Sequence, residues 1–193
     1  MIVVTNRKLC KEDFLVRIEK IAALQPQAII LREKDLKEEE YERLARACSH
    51  ICQRAGCTLV LNSFIDTALR LKIPHIQVSM SQYMKRKAEL SGVLQHVGVS
   101  VHSEQETIQL SGKRIHHIIA GHIYATDCKK GIPGRGISFL KRVCQRSSVP
   151  VWGIGGIGPE NYRQVLEVGA ADFCVMSSAM TAESVSDFFM QFS

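Results

Sequence analysis

Short, continuous apolar runs alternate with amphipathic stretches along the whole chain, and the alternation repeats eight times. The apolar runs predict strands at residues 2–5, 28–31, 58–61, 75–78, 96–99, 117–119, 151–154 and 173–176. Runs that are apolar throughout suit strands covered on both faces, as in a parallel sheet. Between them, apolar residues return at helical spacing. Phe14, Leu15, Ile18, Ile21 and Ala22 mark the first helix, and Tyr41, Leu44, Ala45, Cys48 and Cys52 the second. Further helices are predicted over 65–71, 104–110, 137–145, 162–168 and 185–190, with a more polar one over 82–90.

Punctuation agrees with this alternation. Gly56, Gly112 and Gly169 stand where helices should stop. Pro150 precedes the seventh strand, Gly158-Pro159 opens the helix after it, and Ser103 with Glu106 has capping-box spacing. No low-complexity tract or internal repeat divides the chain. Eight strand–helix units in 193 residues, about 24 residues each, predict an α/β fold, a single compact (β/α)8 TIM barrel over residues 1–193. An open doubly wound sheet is the alternative, and the even spacing favours the barrel.

Composition narrows the function. A hydrophobic share of 46% with mean hydropathy near zero is that of a globular protein, and no apolar stretch nears the length of a membrane span. The N-terminus lacks the pattern of a secretion signal, so a cytoplasmic protein without a membrane partner is expected. The seven cysteines form no Cys-x-x-Cys pair and no zinc-like spacing with histidine, which points to reduced thiols and no metal. The net charge of +6 fits a small anionic substrate. Aromatic residues are sparse around the densest basic group, so no nucleic-acid platform is expected.

Candidate chemistry gathers after the predicted strands. The segment from Gly121 to Gly131 follows the sixth strand and carries His122, Thr126, Cys128, Lys129 and Lys130. An imidazole there can move protons near neutral pH, and lysines can hold an anion. Cys128, beside cations, is a candidate nucleophile. The seventh strand runs into Gly155-Gly156, whose backbone can approach a ligand closely. The eighth leads to Ser177-Ser178 at a helix start, where N–H groups face outward. Loops after the last two strands of such barrels commonly hold phosphate, so these four residues are candidate phosphate ligands. His102 reads as a helix cap, and His116-His117 opens the sixth strand at the end that serves stability.

Taken together, these residues resemble the thiamine phosphate synthase superfamily. The likeness rests on Leu31-Arg32-Glu33-Lys34, on Leu61-Asn62 with Asp66 and Ala68, and on Gly98-Val99-Ser100-Val101-His102. It extends to Trp152-Gly153-Ile154-Gly155-Gly156-Ile157 and Val175-Met176-Ser177-Ser178. The synthase joins a pyrimidine pyrophosphate to a thiazole phosphate with magnesium. This chain reads Asn62-Ser63 and Gln77-Val78-Ser79-Met80 where the family typically carries metal-binding aspartates. The Gly121–Gly131 loop is similar to that of the TenI-type thiazole tautomerases. The resemblance therefore implies a cofactor-free isomerase that aromatises a carboxy-dihydrothiazole ethyl phosphate, with His122 as general acid/base, alone or with a second residue. It implies Arg32, Lys34, Asn62, Ser100, Thr126 and Lys129 as substrate contacts, a small phosphorylated thiazole as partner, and a homodimer. The ion pair of Arg32 or Lys34 with Glu33 or Asp35 is the structural alternative for those cations. A thiamine phosphate synthase, or a non-catalytic regulatory protein that binds thiazole phosphate, is the alternative function.

Overall fold

A computed structural model describes residues 1–126, 129 and 131–192. Its strands are β1 (Ile2–Val4), β2 (Ala28–Leu31), β3 (Leu59–Asn62), β4 (His75–Ser79), β5 (His96–Val101), β6 (His117–Gly121), β7 (Val151–Ile154) and β8 (Asp172–Val175). The helices are α1 (Phe14–Ala23), α2 (Glu38–Ala55), α3 (Ile65–Leu71), α4 (Met80–Val93), α5 (Glu104–Gln109), α6 (Ile137–Arg146), α7 (Tyr162–Glu167), α8 (Ser177–Thr181) and α9 (Val185–Met190). The eight strands pair in chain order into a closed parallel barrel, the (β/α)8 fold expected from the alternation. The chain divides into two compact units, Met1–Ile76 with Met176–Ser193, and Gln77–Val175.

In the first unit, β1 lies parallel to β2 with Val3 opposite Ile29, and β2 parallel to β3 with Ile30 opposite Val60. Asp13 starts α1 by accepting the Leu15 and Val16 amides at 2.9 and 3.2 Å. Ile18, Ile21 and Ala22 then form its buried stripe. Three glutamates open α2 where the helix dipole favours them. Its buried face is Tyr41, Ala45, Cys48 and Cys52, and it stops at Gly56 with a left-handed φ of 68°. Burial pushes the Cys48 thiol up to about 12, as befits a cysteine used as a small hydrophobe. Arg17, itself buried, pairs with Glu12 at 2.7 Å and donates to the Ala182 carbonyl at 2.8 Å, tying α1 to the end of α8.

In the second unit, Val99 of β5 faces Ile118 of β6, Ile119 faces Trp152 of β7, and Gly153 faces Phe173 of β8. Phe139, Leu140 and Val143 are the buried face of α6. The polar pattern over 82–90 forms the middle of α4, which kinks at Arg86. His117 is buried, its ring stacked on Trp152 at 3.7 Å between centroids.

Exposed ion pairs set the response to acid. Arg7, then Lys8, hold the Asp35 carboxyl well below the usual carboxylate range. Lys20, Arg46 and Arg142 lower Glu12, Glu42 and Glu104 in the same direction. A carboxyl that binds its proton less readily folded than unfolded stabilises above its unfolded pKa, and that stabilisation is lost as pH falls. Tm measured by calorimetry is therefore expected to hold from neutrality to about pH 5 and to fall steadily below about pH 4. Arg7→Met should shallow that acid slope. An unchanged slope would mean that Asp35 carries none of it.

Candidate active site

Two polar networks organise the strand ends of the first unit. Beyond β2, the Arg32 amide donates to Thr5 Oγ1 at 3.0 Å, and Thr5 Oγ1 donates to Glu33 at 2.6 Å. Glu33 is 2% exposed and also accepts from the Arg7 amide and guanidinium at 3.0 and 3.1 Å. Asp35 takes the Arg7 fork at 2.7 and 2.9 Å and the Lys8 ammonium at 2.9 Å. Glu33 thus serves Thr5 and Arg7, and Asp35 serves Arg7 and Lys8. The Arg32 guanidinium, half-buried, makes no hydrogen bond or ion pair among the described residues. Lys34, two residues on, is exposed.

Asn62 closes β3 and is buried. Its amide donates to the Tyr41 hydroxyl at 2.9 Å, and that hydroxyl donates to the Leu31 carbonyl at 2.7 Å. One buried oxygen therefore ties the end of β2 to the end of β3, while the Tyr41 ring stacks on Phe64. Tyr41→Phe keeps the ring and strips two buried backbone groups of their partner. The expected loss is about 2 kcal/mol in urea denaturation, with an unchanged m-value. A loss below about 0.5 kcal/mol would show that water replaces the hydroxyl.

Ser177 and Ser178 open α8 and are half-buried. The helix has five residues, so its dipole is slight and the hydroxyls and amides are what it offers an anion.

In the second unit the chain after β6 folds onto the turn after β7. The Ile123 amide donates to Ile154, and the Tyr124 amide to Gly155, both at 2.9 Å. Gly155 and Gly156 have φ of 105° and 64°. A Cβ on Gly155 would overlap the His122 Cβ, and one on Gly156 would lie 2.5 Å from the Ala125 carbonyl. The two glycines are needed first because another segment of the chain fills the space beside them. Their amides, with that of Ile157, donate to no group among the described residues. Successive N–H groups without an acceptor are donors of the kind that can take up an anion.

His122 is 6% exposed and its Nε2 donates to the Ile132 carbonyl at 3.3 Å, which leaves Nδ1 as an acceptor. His102 caps no helix. Ser103 caps α5, and His102 Nδ1 donates to the Gly121 carbonyl at 2.8 Å, bracing the peptide before His122. Ser100, half-buried on β5, accepts from Gln77 at 2.8 Å. Thr126 accepts the Lys129 amide at 2.9 Å, and Lys129 is exposed. Cys128 and Lys130 lie outside the described residues. The structure thus brings His122 against Gly155, and Tyr124 and Ala125 against Gly156. Tyr41, Gln77 and His102, which organise these strand ends, are not among the residues expected at the site, though Gln77 and His102 lie in segments compared with the family. Only their polarity beside apolar strands could have marked them.

The magnesium that the resemblance brings with it does not fit this donor set. Asn62-Ser63 and Gln77-Val78-Ser79-Met80 offer no carboxylate, and the described residues contain no cluster of three His, Cys, Asp or Glu side chains able to hold a metal.

A family model described as thiamine monophosphate synthase matches residues 1–179. A thiamine-phosphate synthase from Clostridium acetobutylicum is 30% identical over 186 residues, covering 95% of this chain and 88% of that protein. One from Pyrococcus abyssi is 29% identical over 185 residues, covering 95% and 87%. Among solved structures, a thiamine phosphate pyrophosphorylase from Pyrococcus furiosus superposes with a TM-score of 0.84 over 99% of this chain and 92% of its own. At 22% identity that likeness speaks for the fold. These relatives overturn the expected thiazole tautomerase and its isomerase class, since they are synthases, which are transferases. The Gly121–Gly131 loop and the absent aspartates point to the tautomerases, and the near full-length match to synthases outweighs both. With its barrel, its strand-end residues and its near full-length match, the chain belongs to the thiamine monophosphate synthase family.

Proposed function

We propose that the chain is a thiamine phosphate synthase, which joins a pyrimidine pyrophosphate to a thiazole phosphate and releases inorganic pyrophosphate. The observation that carries the reading is the run of unengaged amides at Gly155, Gly156 and Ile157, suited to the phosphate of the thiazole. In the reaction the methylene C–O bond of the pyrimidine breaks and its electron pair leaves with pyrophosphate. The lone pair of the thiazole nitrogen forms the new C–N bond. No proton changes hands, so catalysis rests on positioning and on charge.

Arg32 and Lys34 are the proposed partners of the departing pyrophosphate, with Lys129 a further cation. Ser177 and Ser178 offer hydroxyls to phosphate. Asn62, Ser100 and Thr126 are proposed polar contacts. His122, its Nε2 spent on Ile132, is proposed to steady the loop and to present Nδ1 as an acceptor. With no carboxylates to hold magnesium, no step is assigned to the metal. The free cysteines support a reducing, cytoplasmic setting, and a homodimer remains part of the proposal.

The test is to incubate the protein with both precursors and magnesium and to measure thiamine phosphate by its fluorescent oxidation product, with pyrophosphate release alongside. Equal yields of the two products establish the synthase. No thiamine phosphate above buffer sinks it. The missing carboxylates favour a second reading, a non-catalytic binder of thiazole phosphate, which predicts calorimetric binding of that compound without turnover.

A further inference from the structure

Four side chains of the second unit, His116, His117, Gln77 and Ser100, form a continuous hydrogen-bonded chain, and the proposed reaction uses only Ser100 of them. His116 Nδ1 lies 3.2 Å from His117 Nδ1, and His117 Nε2 lies 2.8 Å from Gln77 Oε1. Gln77 Nε2 donates to Ser100 Oγ at 2.8 Å. Gln77 and His117 are 3% and 2% exposed, and the His117 ring is clamped against Trp152 with the planes 21° apart. The space is reserved for these contacts. A Cβ on Gly98 would overlap both Gln77 Oε1 and His117 Nε2.

The bonds run in one direction. Because Gln77 gives its N–H to Ser100, its carbonyl must accept, so His117 must carry its proton on Nε2. His117 Nδ1 then has a lone pair, and His116 supplies the proton that meets it. Burial, and then the neighbouring His96, hold His116 below the usual histidine range. At the other end, Ser100 Oγ already accepts. Its O–H has no acceptor among the described residues. A hydroxyl whose lone pair is engaged by a fixed donor has its proton directed elsewhere.

We propose that Gln77 and His117 are positioning residues that set the Ser100 hydroxyl as a hydrogen-bond donor to substrate. This rests on the reading of Ser100 as a substrate contact of the synthase. A polar pair as buried as Gln77 and His117 fixes the orientation of the groups it bonds, and reversing one polarity within it is costly.

Gln77→Glu gives that reversal without a change of shape. A carboxylate accepts from both neighbours, so the Ser100 O–H turns inward and is lost to the substrate. The expected result is a fall in kcat/KM of roughly tenfold for one of the two substrates, equal to that of Ser100→Ala. The fall should lie in KM more than in kcat, and the double variant should be no worse than Ser100→Ala alone. A folded Gln77→Glu protein with wild-type constants, or losses that multiply in the double variant, would overturn the proposal.

His117→Phe keeps the stack on Trp152 and removes the donor, and it stands in where the buried glutamate prevents folding. It should raise the same KM several-fold, and His117→Gln, whose amide can reach Gln77 Oε1, should recover part. A His117→Phe protein that folds with its KM unchanged would overturn the proposal. The imidazole ¹⁵N spectrum supplies a reading independent of turnover: His117 protonated on Nε2 is expected, and the Nδ1 tautomer overturns the proposal. If the wild type binds thiazole phosphate without making thiamine phosphate, the synthase reading alone fails. The same variants are then compared by calorimetric affinity for thiazole phosphate.

Discussion

Gly156→Ala will lower stability by about 3 kcal/mol and abolish measurable binding of thiazole phosphate. Two costs add. The residue sits at a φ of 64°, where a side chain costs about 1–2 kcal/mol. The new Cβ would also stand 2.5 Å from the Ala125 carbonyl and 2.8 Å from the Tyr124 Cβ. Backbone cannot yield there without moving the segment that carries His122, so the damage reaches the amides at 155–157. Gly112→Ala provides the comparison. Its φ of 67° is nearly the same, and nothing lies within 4 Å of the added carbon. It should cost only about 1 kcal/mol and leave binding untouched. Urea denaturation and calorimetry on the two variants separate close approach from backbone preference. Equal losses would mean that the chain after β6 is not held against this turn.

Most of the barrel was legible because its strands are apolar on both faces. Residues 28–31 and 151–154 match the observed strands, since Gln27 and Arg32 bound the first and Pro150 and Gly155 the second. The fifth strand runs two residues beyond its predicted end because Ser100 lies within it, and periodicity reads a serine as the start of a loop. The three-residue turn at Arg7–Leu9 had no pattern at all. It exists because Glu33 draws in Arg7, a partner 26 residues away. The same limit applies to the site. Gly155-Gly156 was visible as a motif, and its use against His122 and Ala125 was not, because spacing says nothing of what fills a space. His117 looked like a strand opening at the stable end of the barrel. Its bond to Gln77 spans 40 residues, and nothing short of the fold joins them.

Arg32→Ala will reduce kcat/KM for the pyrimidine pyrophosphate by about 10²-fold, with Arg32→Lys recovering only part. The reason lies in how its neighbours are occupied. Arg32 is flanked in sequence by Glu33 and lies three residues from Asp35, and either carboxylate could have neutralised it. Glu33 is held by Thr5 and Arg7, and Asp35 by Arg7 and Lys8, so neither carboxylate pairs with the Arg32 guanidinium, which stays available to an anion. This makes Arg7 a residue that acts at a distance. Arg7→Met strips the buried Glu33 of its cation, at about 2 kcal/mol given that Arg7 is itself partly exposed. It also leaves Glu33 without a cation and Asp35 with Lys8 alone, so that both can draw Arg32 away. KM for the pyrophosphate substrate should rise about tenfold in Arg7→Met, and Arg7→Met should add little once Arg32 is alanine. Steady-state kinetics on the two single variants and the double decide it. Losses that simply multiply would show that Arg7 serves stability alone. An Arg32→Ala enzyme with an unchanged KM would show that the pyrophosphate is held by other cations.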